Sequence, residues 1–128
     1  MLTIGSTAPD FTRTASNGNT VSLSQFKGKQ VVVLYFYPKD ETPTCTAEAC
    51  EFRDAYTHFQ EAGAEVIGVS GDSDSSHKKF ADHHRLPFIL LSDKDKSLQK
   101  LFSVDKLLGL IPGRITYVID KNGVVQFA

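Results

Sequence analysis

Between Val31 and Tyr37 the chain carries seven consecutive apolar residues, Val-Val-Val-Leu-Tyr-Phe-Tyr, with no polar alternation. The run is rich in β-branched and aromatic types, and it predicts a strand covered on both faces. A strand of that kind needs a layer on each side of its sheet. The rest of the chain must therefore supply helices and connections for two faces, and it does so in alternation.

After Tyr37 comes a periodic segment to about Ala62. Cys45, Ala49, Phe52, Tyr56 and Phe59 follow spacings of 4, 3, 4 and 3, which is one face of an α-helix. Glu51, Asp54, His58 and Glu61 fall on the other side, and Gly63 supplies a stop. Glu65-Val-Ile-Gly-Val-Ser70 predicts a second strand, with Gly71-Asp-Ser73 as turn and N-cap of a helix over roughly Ser75 to Arg85. Leu86-Pro87 ends that helix, and Phe88 to Leu91 predicts a third strand. A short helix is expected over Ser97 to Phe102, then an apolar loop over Lys106 to Gly113. Ile115 to Ile119 and Val124 to Phe127, joined through Asn122-Gly123, read as a hairpin. Near the start, residues 1–10 read as extended. Phe11 to Ala15 and Thr20 to Leu23 flank Asn17-Gly18 as an N-terminal hairpin, and Gln25 to Lys29 reads as a polar connection. The pattern predicts an α/β sandwich with a mixed central sheet, in one domain spanning residues 1–128.

Charge and length remove several functions. With a formal net charge of −1, the chain lacks the electrostatic term that nucleic acid or an anionic membrane would need. No apolar run reaches bilayer-spanning length, and no basic-then-apolar leader follows Met1. Two cysteines in 128 residues are too few for a disulfide scaffold, so a reducing, cytoplasmic-type compartment and a chemical role are expected. The chain stops just after an expected strand, which suggests that a C-terminal element is missing.

Both cysteines fall in the strand-to-helix stretch. Thr42-Pro43-Thr44-Cys45 fits a helix start, with Thr42 as N-cap, Pro43 first and Cys45 third. A thiolate there gains from the helix dipole and nearby backbone N–H groups and can attack an O–O or S–S bond. Thr42 has two readings at this level: a cap alone, or a hydroxyl aimed at sulfur or substrate. Cys50 lies five positions on from Cys45 and off the core-facing stripe. In one regular helix that separation means ~7.5 Å of rise, about 140° of rotation and roughly 8–9 Å between Cα atoms. A disulfide needs about 7 Å or less. The pair can bond only if the first helical turns unwind.

These residues carry a resemblance. Tyr35-Phe-Tyr-Pro-Lys-Asp-Glu-Thr-Pro-Thr-Cys-Thr-Ala-Glu-Ala-Cys50 resembles the active-site segment of peroxiredoxins of the Q type, the bacterioferritin comigratory proteins. The signature of Pro, three residues, Thr or Ser, two residues and Cys is met by Pro38, Thr42 and Cys45. The likeness runs from Gly5–Phe11 through Glu65–Ser70 and Leu90–Asp93 to Pro112–Asp120. It implies a thioredoxin-like fold and a peroxidase acting on hydrogen peroxide and organic hydroperoxides, without cofactor or metal. Cys45 matches the peroxidatic cysteine, and Cys50 matches the resolving one. Arg114 matches the arginine that stabilises the thiolate, Thr42 would hydrogen-bond peroxide, and Pro38 would shield the pocket. A thioredoxin-like reductant would recycle an intramolecular disulfide, and a monomer suffices for that. On the residues alone Arg114 reads as a surface ion pair. Glu48 and Arg53 also match family positions, against a plainer reading as a solvated helix face.

Two features depart from the family pattern. Thr44 stands where members usually have Gly, and the family's further C-terminal segment is absent. A plastid setting is the alternative to the cytoplasm, if a transit peptide has been removed. Other signals weigh less. Asp93-Lys-Asp95 begins like a calcium loop, but Leu98 and Val104 occupy the positions where glycine and an acid are required. His77, His83 and His84 read as helix surface and edge residues rather than ligands. Two competing functions remain in view: a dithiol–disulfide oxidoreductase, whose thiols normally have two intervening residues rather than four, and a redox-responsive interaction module.

Overall fold

A computed structural model describes residues 2–104 and 115–128. Its elements are β1 (Thr12–Thr14), β2 (Thr20–Ser22), a 3-10 turn (Leu23–Phe26), β3 (Val31–Phe36), α1 (Pro43–Glu61), β4 (Ala64–Ser70), α2 (Asp74–His84), β5 (Ile89–Ser92), α3 (Ser97–Leu101), β6 (Ile115–Ile119) and β7 (Val125–Phe127). The five-stranded sheet has the order β5-β4-β3-β6-β7, and β1 pairs with β2 as a separate antiparallel hairpin. Strands β3, β4 and β5 are parallel, while β6 and β7 run antiparallel. The sheet is mixed, as the alternation of strands and helices predicts.

The apolar run is the central strand, and its side chains divide between two cores. Val32, Leu34 and Phe36 enter one, with Ile67, Val69, Leu91, Phe102, Tyr117 and Ile119. Val33, Tyr35 and Tyr37 enter the other, with Val66, Phe80, Phe88 and Leu90. Successive strand residues point to opposite faces, so a run buried on both must be apolar throughout. The second core is the one that α1 and α2 cover, and Cys45 and Ala49 belong to it. Gly68, which pairs with Tyr35, is required there: a Cβ would lie 2.9 Å from the Tyr35 ring and from Leu90 Cδ2.

The α1 stripe reads as expected from its spacing. Cys45 and Ala49 are buried, and Phe52, Tyr56 and Phe59 pack partly buried against the same core. Three details differ from the sequence reading. Leu23 to Phe26 forms a 3-10 turn rather than a strand end and polar connection, because Leu23 and Phe26, three apart, both bury on one side. Helix α2 ends one residue early, where Arg85 turns left-handed at φ 53°. The third strand is shifted by one residue to Ile89–Ser92, where it pairs with Ile67–Ser70 of β4. The expected apolar loop at Lys106–Gly113 and Arg114 lie outside the described residues.

Candidate active site

Parallel strands place their C-terminal ends together, and α/β folds bind ligands at that edge. Here the edge gathers the loop after β3 (Tyr37–Glu41), the turn after β4 (Gly71–Ser73) and the turn after β5. Backbone bonds tie them: Tyr37 N–H donates to Val69 O at 3.0 Å, and Asp93 N–H to Ser70 O at 2.8 Å. Asp72 acts as the rivet. Its Oδ2 accepts from the Asp40 N–H at 2.8 Å and the Ser70 hydroxyl at 2.6 Å.

Helix α1 starts from this loop. Thr42 is its N-cap in extended geometry, Pro43 opens the helix, and the ladder begins with Thr46 N–H on Thr42 O at 2.8 Å. Cys45 is the third helical residue and is 1% exposed. It sits at the positive end of a 19-residue helix whose first turn holds no acidic residue. Thr42 caps by backbone position only. Its hydroxyl donates to Lys39 O at 3.2 Å, so the side chain braces the loop instead of closing the helix end. Pro38 is exposed on the same loop.

Cys50 is half-buried on the same unbroken helix, and neither cysteine is in a disulfide. The unwinding argument drawn from spacing therefore applies to this geometry. Tyr35 lies near both sulfurs. Burial first, then the nearby Glu48, Asp40, Cys45 and Cys50 groups, push its phenol well above the usual tyrosine range. Its buried hydroxyl has no hydrogen-bond partner among the described residues. Sequence reading placed Tyr35 only as a strand residue; its alternation with Tyr37 on the α1 face was the available signal. Arg53 pairs with Asp54 at 2.9 Å and also donates from Nη1 to the carbonyl of His84 at 2.8 Å, which joins α1 to the end of α2.

The histidines need correction. His77 is not a surface residue: it is wholly buried. Ser73 caps α2 by accepting from Ser76 N–H, and this phase points His77 and Phe80, three apart, into the core. His77 Nδ1 lies 2.8 Å from Asp40 Oδ2, and Nε2 lies 3.0 Å from Leu91 O. A carbonyl only accepts, so Nε2 donates there. Asp40 also accepts from the Tyr37 hydroxyl at 2.6 Å and the Ser76 hydroxyl at 2.8 Å. Burial works to raise the Asp40 pKa, but hydrogen bonds from His77 and Tyr37 outweigh it and hold the carboxyl below its usual range. Asp40 is thus an anchored carboxylate two residues before the N-cap of α1. The spacing of His77 and Phe80 was the signal that could have exposed this.

His83 is exposed, as expected, and reaches Glu41 together with the less exposed His84. Asp93, which opens the calcium-like run, instead caps α3: its carboxylate accepts from Leu98 and Gln99 N–H at 2.9 and 3.0 Å. No helix among the described residues is long and apolar enough to cross a membrane.

The chain matches the AhpC/TSA family over residues 4–128. It is 60% identical over 126 residues to a protein named chloroplastic peroxiredoxin Q of Sedum lineare, covering 98% of this chain and 67% of that one. It is 59% identical to the Triticum aestivum protein of that name, over 96% of this chain and 57% of the wheat chain. The chain thus spans a little over half the length of the wheat relative. Among solved structures it resembles the peroxidoxin BcpB of Mycobacterium tuberculosis, with a TM-score of 0.89 and 38% identity over 99% of this chain and 84% of that one. A cysteine-to-serine mutant of Xylella fastidiosa PrxQ superposes with a TM-score of 0.86 and 34% identity, over 98% and 83% of the two chains. With a thioredoxin-like fold and these relatives, the chain belongs to the AhpC/TSA family, as a peroxiredoxin of the Q group.

Proposed function

We propose that Cys45 is the peroxidatic nucleophile and Cys50 its resolving partner. The Cys45 thiolate attacks one peroxide oxygen, the O–O bond breaks, and the other oxygen leaves as alkoxide or hydroxide and takes a proton. Cys45 becomes a sulfenic acid. The Cys50 thiol then displaces its hydroxyl as water, and a Cys45–Cys50 disulfide forms. A thioredoxin-like dithiol reduces that disulfide by exchange. One observation carries the reading: Cys45 is the third residue of a helix that starts at the C-terminal edge of the central strand, with Cys50 on the same helix.

The helix dipole and N-terminal amides suit the developing negative charge. Thr42 and Pro38 are assigned to holding peroxide and screening the sulfur, and Arg114 to stabilising thiolate and transition state, by their match to the family motif. Resolution within one helix makes a monomer sufficient. Substrates in this reading are hydrogen peroxide and small organic hydroperoxides, and the chloroplastic names of the plant relatives support a plastid setting over a cytoplasmic one.

Peroxide turnover with a thioredoxin recycling system tests this. Cys45→Ser is expected to abolish turnover. Cys50→Ser is expected to keep one round of peroxide consumption and then stop. Full turnover in Cys45→Ser would refute the assignment.

A further inference from the structure

Two residues that flank the segment Thr42 to Phe52 are held by the same end of α2. On the C-terminal side, Arg53 donates to the carbonyl of His84 at 2.8 Å. On the N-terminal side, Glu41 meets both histidine rings: His83 Nδ1 is 2.8 Å from Oε2, and His84 Nε2 is 2.6 Å from Oε1. The two rings lie 4.2 Å apart at an interplanar angle of 34°. Adjacent helical residues normally diverge by about 100°. They converge here because Glu41 lies beyond the last turn of α2, held at a left-handed φ of 63°.

The three donor atoms lie within 4.8 Å of one another, with the Glu41 and His83 side chains 48% and 66% exposed and that of His84 18% exposed. Two imidazoles and one carboxylate suit zinc, copper or nickel. Tetrahedral zinc with bonds of about 2.0–2.1 Å sets its ligands roughly 3.3 Å apart. The two nitrogen–oxygen contacts, each to a different oxygen of Glu41, open by roughly 0.5–0.7 Å to reach that spacing, by movement chiefly of the exposed Glu41 and His83 side chains. The buried cluster of Asp40, Asp72 and His77 also converges. Its oxygens, however, already accept from Tyr37, Ser70, Ser76 and the Asp40 N–H, and Asp40 and His77 are buried.

The geometry points to Glu41, His83 and His84 as a site for a divalent transition-metal ion of the zinc type, bridging the loop before α1 to the end of α2. The ion replaces the two hydrogen bonds on Glu41 with bonds to one centre. When the site is filled, Glu41 is fixed on one side of Thr42–Phe52 while Arg53 holds the other. The turns that must unwind for Cys45 to reach Cys50 are then tethered at both ends. Metal binding thereby slows disulfide formation and leaves the sulfenic acid longer exposed to further peroxide. The clamp rests on the peroxidase reading; the site itself does not.

Zinc chloride is titrated into the full chain carrying Cys45→Ser and Cys50→Ser, so that no thiol contributes, by calorimetry. One ion per chain is expected, at least tenfold weaker with Glu41→Gln or His84→Gln added while the circular dichroism spectrum is kept. No binding up to millimolar zinc, or equal binding in the Glu41→Gln chain, overturns the site. In the chain with both thiols, mass spectrometry then follows Cys45–Cys50 disulfide formation after one equivalent of hydrogen peroxide. Zinc is expected to slow it several-fold, and Glu41→Gln to remove that slowing, whereas inhibition through the thiols would persist. An unchanged rate at saturating zinc overturns the clamp. Retained zinc binding with no oxidation of Cys45 by peroxide refutes the peroxidase reading and leaves the site standing.

Discussion

Asp40 and Glu41 are neighbours in sequence, and each meets histidine from α2, yet they hold the loop before Cys45 in opposite ways. Asp40 meets His77 with side chains 2% and 0% exposed. Glu41 meets His83 and His84 at the surface, with its own side chain 48% exposed. A buried charge without its partner keeps its full desolvation penalty, whereas an exposed one returns to water. The inner acid therefore fixes where the loop sits, and the outer acid adds little to stability but stays available to ligands. One residue of chain separates a structural anchor from an adjustable contact.

The largest effect that tests this contrast is His77→Ala. It leaves the Asp40 carboxylate buried without its main partner and is expected to cost roughly 3–5 kcal/mol in urea unfolding. A loss below about 1 kcal/mol, the range of exposed pairs, would make the inner pair no different from the outer one. Next come two double-mutant cycles. Asp40 with His77 should show a coupling toward the upper part of the range of about 0.5–3 kcal/mol, and Glu41 with His84 no more than about 1 kcal/mol. Equal couplings would erase the comparison.

Acid titration gives a third, smaller handle. Asp40 has a folded pKa below its unfolded value, so between the two values the unfolded chain binds more protons. Its contribution is present above about pH 4 and is lost as pH falls through the folded value. Asp40→Asn should flatten the fall in unfolding free energy below about pH 4, measured by urea titrations at stepped pH. Asp10, Asp95 and Asp120, also lowered, remain in both proteins and cancel in the difference. The smallest effect is Glu41→Gln, expected within about 1 kcal/mol of wild type at neutral pH without metal. A larger loss would mean that the left-handed turn at Glu41 depends on its histidine contacts.

Much of the molecule was legible in its residues. The unbroken apolar run gave the central strand, because a short run rich in β-branched and aromatic residues suits a strand packed on both faces. The 4-3-4-3 stripe gave α1 and placed Cys45 toward the core, since helical period and burial are local consequences of spacing. The motif of Pro38, Thr42 and Cys45 pointed to the family that the comparisons confirm. His77 reads as surface because the helix around it is polar; its three-residue spacing from Phe80 is the one local sign of burial, and the layer packed opposite decides it. The 3-10 turn at Leu23–Phe26 escaped because a four-residue element has too few positions to show a period.

The sequence by itself determined the sheet covered on both faces, the helix start at Thr42, and the five-residue separation that forbids a disulfide in an intact helix. These follow from period, caps and rise per residue, which need no distant partner. Only the tertiary structure decided how the loop before that helix is held. Asp40 and His77 lie 37 residues apart, Glu41 and His83 lie 42 apart, and Arg53 reaches His84 across 31. Those contacts arise where α2 packs against the loop after β3 and against α1, and burial at each contact sets its strength.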